Sequence, residues 1–549
     1  MPSERSSVAP LRIVSFRRLW IASIVFNLGH LVQVVASSWV MLELTGSPLW
    51  VSLMVGAPFL PLLFLSLPAG AAADLLDRRR LIIGSSSVMV AASGGMAALW
   101  GSGTITPARL LALGLLFGVG SAFFNPAWQA IMPRLVPVGL LPGAVALNSA
   151  SGGMATALGP ALGGVLVATV GAGWTFAVAT VGYTAILVAV LLTRTREWPQ
   201  DAGSMLVAIA TGLRYLRFSA GYRWLLLLGA AFGFSSAAVR GLLPNITSDL
   251  LEGDATLYGF LLGAFGAGAL VGGLTRTVGS HLLQDRMLPG SVAVYGVGGM
   301  ALALSSVAPL SLVATFFVGV GWTWVLATLN TTFQILSPDW VRGRAMGAFV
   351  LSVFGFMPIG SAVSGALGDL IEASASLLVF SALVLVLGLA ALRFPLPVLE
   401  HIEPPEVPGD AGAHLEGEIA PAPVMVTTTW VLRDGEDFEG FLNLLAQLRR
   451  LRLSTGAYHW AVYRSAHDHR RISEVFMVHS WELHLQQHRR LDTRGLALVR
   501  EAEGFAGAEE VTTDHLIAFE AEDAQRRPDW EVLRLEHEEM HRGRRAQPR

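Results

Sequence analysis

The sequence predicts an all-α membrane protein of twelve transmembrane helices in two pseudo-symmetric six-helix halves, followed by a small α+β cytoplasmic domain. Three observations carry this. Hydrophobic residues are 53% of the 549, only 14% are charged, and mean hydropathy is +0.55, so much of the apolar surface must face lipid. Charges are sparse up to Phe394 and dense from Glu400 onward, so the net charge of -2 averages two unlike regions. A pattern N-x-x-x-Q-x-x-x-P-x-x-V occurs twice: a shift of 205 residues lays Asn125, Gln129, Pro133 and Val136 over Asn330, Gln334, Pro338 and Val341, with Trp128 over Phe333. Two such copies, spaced by half of a hydrophobic region, indicate two structural repeats.

Apolar runs of about 20 residues place the spans near Leu19 to Leu44, Leu49 to Ala73, Leu81 to Trp100, Ala108 to Met132, Gly143 to Val170 and Trp174 to Thr193. A second six follow near Trp224 to Leu250, Leu257 to Val278, Leu288 to Ala308, Ser311 to Leu336, Ala345 to Ile371 and Ala375 to Phe394. The halves are thus 1–193 and 224–394, with a central loop, 194–223, whose amphipathic stretch MLVAIATGLRYLRF is expected on the membrane surface. The run after Arg18 is too long for a signal-peptide core and lacks a small-residue cleavage site, so it is expected to be a retained first span.

The chain has no lysine, and its arginines sort by loop. Arg5, Arg12, Arg17, Arg18, Arg78 to Arg80, Arg134, the arginines of the central loop, Arg286, Arg342, Arg344 and Arg393 fall on one side, against Arg109 on the other. The positive-inside rule makes the first side cytoplasmic, with both termini inside and the protein multi-pass in the cytoplasmic membrane. Cysteine is absent, which excludes disulfides, thiolate metal sites and a cysteine nucleophile.

Residues 395–423 are rich in Pro, Glu and Gly and read as an extended linker. A domain at 424–525 follows: a strand Val424 to Leu432, a helix with Phe438, Phe441, Leu442, Leu445 and Leu448 at helical spacing, strands Ala457 to Arg464 and Ile472 to Ser480, a helix Glu482 to Arg490, and a strand Val511 to Phe519. That βαββαβ order is a ferredoxin-like layout. The tail, 526–549, alternates acidic and basic residues as a solvated helix or a disordered segment would.

Several polar residues stand out in the spans. Asn27, His30 and Gln33 recur every three residues and share one face of the first span. Polar groups at that depth are costly unless they meet a cavity or a partner helix, so the stripe lines a central cavity or hydrogen-bonds between helices. A histidine near neutral pKa is also a candidate proton carrier. Arg240 lies deep in the seventh span with no deep carboxylate to pair with, since Glu43, Asp249 and Asp369 sit toward helix ends; it needs an anion, and a negatively charged substrate is one source. Asn125, Gln129, Asn330 and Gln334 occupy matching turns of the fourth and tenth spans, where they bond substrate or one another. Trp39, Trp128, Trp322 and Trp324 either stack on an aromatic substrate or sit at the interface. In the C-terminal domain His484 and His488 stand at i and i+4, a metal-holding spacing, but no third ligand is fixed by sequence, so no metal site is expected.

Two further motifs carry a resemblance. GAAADLLDRRR spaces Gly70, Asp74, Arg78 and Arg79 as in the G-x-x-x-D-x-x-x-R-R loop of the major facilitator superfamily, and GPALGG, with Gly159, Pro160, Gly163 and Gly164, resembles that superfamily's fifth-helix packing motif. NPAWQAIMPRLVP with ALNSA is similar to the branch of siderophore exporters described as transmembrane secretion effectors. GAYHWAVYRS and VHSWELHLQQHRR resemble the domain appended to its longer members, itself like the cofactor-free monooxygenase fold. The resemblance implies a non-enzymatic exporter of small organic molecules such as siderophores or drugs, driven by proton antiport with alternating access. It gives Gly70, Asp74, Arg78 and Arg79 a gating role. The implied partners are the lipid bilayer, a small-molecule substrate, protons and a second copy bound through the C-terminal domain, with no cofactor and no nucleic acid. The alternative is a fusion in which that domain modifies a metabolite. The chain departs from the superfamily at Leu75 and Asp77. It departs again at Gly114 and Phe117, where the antiporter pattern would place an arginine and a glutamine.

Overall fold

Twelve helices long and apolar enough to cross a bilayer occur among the residues that this computed structural model describes, which are 8–131, 135–193, 220–337, 342–394, 422–433, 437–489 and 493–518. The chain divides into two compact units, a membrane unit and a C-terminal unit. The spans are Val14–Thr45, Pro48–Ser66, Arg78–Gly101, Pro107–Ile131, Val138–Val170, Ala172–Leu191, Tyr222–Leu250, Ala255–Leu283, Met287–Leu304, Ala308–Leu336, Ala345–Ile371 and Ala373–Arg393. A bilayer offers backbone groups no water, so each span must close its own hydrogen bonds as a helix.

Some ends differ from the sequence reading, each for a packing reason. The first helix starts at Val14 rather than Leu19 because Phe16 is wholly buried in the first half's core, while Arg17 and Arg18 stay exposed. The seventh begins at Ala220, inside the expected loop, where buried Tyr222 donates to Ser337 Oγ at 3.0 Å and packs edge-on to Phe333. The eighth runs on to Leu283, and the ninth stops at Leu304. The amphipathic stretch at 205–218, the linker up to residue 421 and the tail lie outside the described residues.

Within the halves, the first span packs on the fifth and sixth, and the third on the fourth and sixth; the ninth packs on the tenth and twelfth. Two seams join the halves: the second span against the eleventh, and the fifth against the eighth. The second of these is built on glycine. A Cβ on Gly164 would meet Ala255 O and Gly259 Cα, and one on Gly266 would meet Thr156 O, so neither position has room for any side chain. Gly159 and Gly163 face inward instead, 2.7 Å (Gly159) and 3.0 Å (Gly163) from a Cβ to Leu31 Cβ and Val32 Cα, and Pro160 is buried between them.

The C-terminal unit is a four-stranded antiparallel sheet in the order β2-β3-β1-β4, with β1 Val424–Leu432, β2 His459–Arg464, β3 Arg471–Val478 and β4 Ala506–Ile517. Alternation on β1 sends Val424, Val426, Trp430 and Leu432 into the core with Phe441, Leu445, Leu448 and Phe476. The helices are Phe438–Thr455, Trp481–Arg489 and Thr493–Gly504. The third corrects the expected order, since two helices rather than one join β3 to β4. Its glycines, Gly495 and Gly504, and its charges hide a short apolar stripe in which Leu498, Val499 and Ala502 join the core.

Candidate functional site

Arg240, on the seventh span, is half-buried, and its guanidinium carbon lies 5.6 Å from the centre of the Phe265 ring. Phe265 leads to Trp322 with ring centres 6.3 Å apart, and Trp322 to Tyr295 at 6.3 Å, while the Tyr295 hydroxyl donates to Ser236 O at 2.7 Å. Tyr258 on the eighth span and Tyr295 on the ninth are both within electrostatic range of the guanidinium. The cation is therefore framed by aromatic rings, and no carboxylate among the described residues pairs with it. An arginine at mid-helix costs at least about 2.5–3.5 kcal/mol in a bilayer unless something solvates it, and a cation over a ring returns about 0.5–2 kcal/mol.

The other half meets this site through the first span. His30 is within electrostatic range of Arg240, stacks on Phe117 with ring centres 5.5 Å apart, and has Tyr183 Oη 3.5 Å from its Nδ1. Phe117 is the position at which the antiporter pattern would place a glutamine, so an aromatic wall stands there instead of an amide. Gln33 is buried with its Oε1 unpartnered, and Asn27 is half-buried. Trp39 and Tyr258 stack across the halves at 6.0 Å.

At the face away from the bundle's two chain ends, the halves are pinned together. Ser47 Oγ donates to both carboxylate oxygens of Asp369, at 3.0 and 2.9 Å, and Leu49 N donates to Asp369 Oδ1 at 3.3 Å. An acid of the eleventh span thereby caps the N-terminus of the second, where the helix dipole favours negative charge. Asn245 Nδ2 donates to Gly46 O at 3.3 Å, and deeper in the seam Ser361 Oγ donates to Ser52 O at 2.9 Å. Gly46, Ser47, Asn245 and Asp369 border a recess of about 580 Å³ that also holds Asp249 and Glu372. Asp249 lies on a π-helical turn, Ile246–Leu250, that follows Pro244, and Glu372 has φ 74° and ψ 152°, a conformation that suits glycine alone.

Near the opposite face, Asn125 Nδ2 donates to Ser121 Oγ at 3.2 Å and Gln334 Nε2 donates to Asn330 Oδ1. Both bonds run back one turn within a helix rather than across helices, and Asn125, Gln129 and Gln334 are exposed. Arg276, which the sequence reading did not single out, donates to Thr331 Oγ1 at 2.7 Å and Ala327 O at 3.3 Å on the tenth span. Its place two residues before the expected helix end concealed it.

Of the loop motif, Gly70 lies on the helix Leu60–Leu75, and a Cβ placed there would meet nothing within 4 Å. Asp77 caps the third span by accepting from Arg80 N at 2.9 Å, so Arg78 and Arg79 begin that helix. Arg79 reaches the sixth span's C-terminus, donating to Val190 O at 3.2 Å, Leu191 O at 2.8 Å and Thr193 O at 3.1 Å. The side chain of Asp74 lies outside the described part of the chain.

The C-terminal unit holds a buried ion pair. Arg452 Nε lies 3.3 Å from Glu474 Oε1, which also accepts from Trp460 Nε1 at 2.8 Å. Next to it, His484 and His488 of the helix Trp481–Arg489 approach His515 of β4. Burial first, then the facing imidazoles, push His484 down to about 3, and burial also lowers His488 and His515.

Twelve spans in two halves, two cross-half seams and a polar centre between them define a major facilitator transporter. A family description, transmembrane secretion effector, matches residues 5–523, and the chain belongs to that family. The multidrug efflux pump Tap of Mycolicibacterium fortuitum is 28% identical over 407 residues, 70% of this chain and 96% of Tap. The enterobactin exporter EntS of Salmonella typhi is 28% identical over 369 residues, 64% of this chain and 83% of EntS. Among solved structures, the nucleoside transporter NupG superposes with TM-score 0.56 at 12% identity, covering 69% of this chain and 98% of NupG. A bacterial homolog of the human lysosomal transporter Spinster, inward-facing and unoccupied, gives 0.53 at 16% identity, with 70% and 98% covered. These last two speak to the fold alone.

Proposed function

We propose that the protein exports small aromatic, negatively charged organic molecules across the cytoplasmic membrane by alternating access, in exchange for protons. Arg240 carries the reading: a half-buried guanidinium among aromatic rings, with no carboxylate partner among the described residues, is built to receive an external anion. The efflux relatives Tap and EntS support the direction of transport. His30, beside Arg240, is the proton carrier in this reading: the carrier returns from the outer face with His30 protonated, and the proton leaves to the cytoplasm before the next anion binds. Asn27, Gln33, Asn125, Gln129, Asn330 and Gln334 line the same path. Gly70, Asp74, Arg78 and Arg79 gate its cytoplasmic end, which the arginine distribution assigns to the face of the chain ends. Of the motif Gly159, Pro160, Gly163 and Gly164, Pro160 and Gly164 meet Gly259 in the packed seam on which the halves rock, while Gly159 and Gly163 seat the fifth span on the first.

The C-terminal unit has the strand order of a ferredoxin-like fold and serves as a dimerisation module. Among the described residues, the sheet face opposite the helices presents Leu516 and Tyr463, both exposed, which a second copy would cover.

Inverted membrane vesicles with an acidified lumen test the transport reading. Catecholates, aromatic carboxylates, cationic dyes and neutral antibiotics are added while luminal pH is followed. Proton efflux triggered by the anionic aromatics is the expected result. A response to cationic dyes alone, or none from folded protein, overturns it.

A further inference from the structure

Three histidines of the C-terminal unit converge although two come from one helix and the third from a strand. His484 and His488 lie one turn apart with their Nε2 atoms 3.1 Å apart, and β4, by pairing His515 with Val426, turns the third imidazole toward them. Ligand atoms of all three lie within 4.8 Å of one another. Two imidazole nitrogens on one zinc ion at about 2.0–2.1 Å, in tetrahedral array, sit about 3.4 Å apart. The His484–His488 spacing is close to that, and His515 is the most exposed of the three.

The surroundings suit a metal better than a hydrogen-bonded trio. The Nδ1 atom of His484 and the Oε1 atom of its neighbour Gln487 are both buried, and neither meets a third hydrogen-bonding group. Gln487 is held by its other end, where Nε2 donates to Arg452 O and Thr455 Oγ1, both at 3.2 Å. A metal on Nε2 of His484 leaves the imidazole proton on Nδ1, where Gln487 Oε1 is the acceptor at hand; such outer partners orient metal-binding histidines. Trp481 closes the site on one side, with ring centres 5.4 Å from both His484 and His515.

We propose that His484, His488 and His515 form a binding site for a divalent transition metal, of the zinc class, with its fourth position open to an exchangeable ligand. Three neutral nitrogen donors exclude the oxygen-seeking cations Mg²⁺ and Ca²⁺ as preferred occupants. Three protein ligands with one side toward solvent is the arrangement of exchangeable rather than closed structural sites. The site is made by the C-terminal unit alone, and the proposal does not depend on how the transport path is read.

The test uses the full chain in detergent, purified without a histidine tag and stripped with a chelator. Zn²⁺ titrated calorimetrically is expected to bind at one ion per chain, and Co²⁺ to give the visible absorption of a four-coordinate site. His488→Ala and His515→Ala should each weaken binding about 100-fold or more, whereas His467→Ala and His469→Ala, in the turn before β3, should leave it unchanged. X-ray absorption of the Zn²⁺-loaded wild type, counting three imidazole nitrogens, needs no variant and covers the case in which one fails to fold. No uptake, uptake indifferent to His515→Ala, or an oxygen-dominated shell overturns the proposal.

Discussion

Ser47 and Asp369, 322 positions apart in the chain, are joined by hydrogen bonds from one hydroxyl to both carboxylate oxygens, and they join the two halves of the membrane unit at one face. The carboxylate also receives Leu49 N, so the contact is a helix cap supplied by the other half. Breaking it should cost the closed face about 1–2 kcal/mol, which is a roughly 5- to 30-fold population shift. The chain has no cysteine, so a single Thr45→Cys reporter can be followed with a membrane-impermeant maleimide. Asp369→Ala should speed its labelling by that factor; equal rates would show that the contact does not hold the face shut.

Arg240→Ala should abolish transport of anionic substrates, at least about 100-fold in kcat/KM, equivalent to about 2.7 kcal/mol, and leave residual flux of neutral ones. Arg240→Lys should recover part of it, since a point charge remains without the planar fork. Equal loss for anions and neutral compounds, with normal expression, would assign Arg240 to folding.

Gly164→Leu forces a side chain into the backbone of the eighth span at Ala255 and Gly259. Overpacking costs about 1–3 kcal/mol where neighbours can yield, and here the neighbour is backbone. The variant should lose transport and melt earlier in detergent. Gly70→Ala, which meets open space, should change neither melting nor assembly.

Arg452→Ala strips Glu474 of its counter-ion where the carboxylate is 0% exposed. Removing one partner of a buried pair costs about 3–5 kcal/mol. Hydrogen exchange across β1 and β3 should rise sharply, while Arg470→Ala, whose contact with Asp468 is at the surface, should alter it little.

Glu372→Gly should stabilise the membrane unit by about 1–3 kcal/mol, because Glu372 holds a backbone conformation open to glycine without strain. Thermal unfolding in detergent measures it, and an unchanged midpoint would mean that contacts of the carboxylate in the recess offset the strain.

The twelve spans were legible because each run of apolar residues must be a helix in lipid, and that demand is local. Their ends were less so. Phe16 is in the helix because of what it packs against, and Tyr222 because of Ser337, neither of which a window of sequence contains. Arg240 could be singled out by depth alone, whereas its aromatic frame came from three other spans. Asp369 read as an end-of-helix acid, and only the closing of two halves made it a cap. His515 was invisible as a partner of His484 because strand pairing, not spacing, brings it near. The helix Thr493–Gly504 was missed because its apolar stripe is short and flanked by glycine.

The two seams between the halves differ in what chemistry holds them, and this bears on how the protein tolerates change. Along the second and eleventh spans the grip includes a few polar contacts, each of which a single substitution can weaken or strengthen by a fraction of the total. Along the fifth and eighth it is bare main chain against main chain, which no substitution can improve and almost any must obstruct. Drift in a lineage is thereby channelled: the timing of opening is adjustable residue by residue at one seam, while the geometry of the pivot at the other is passed on intact or lost.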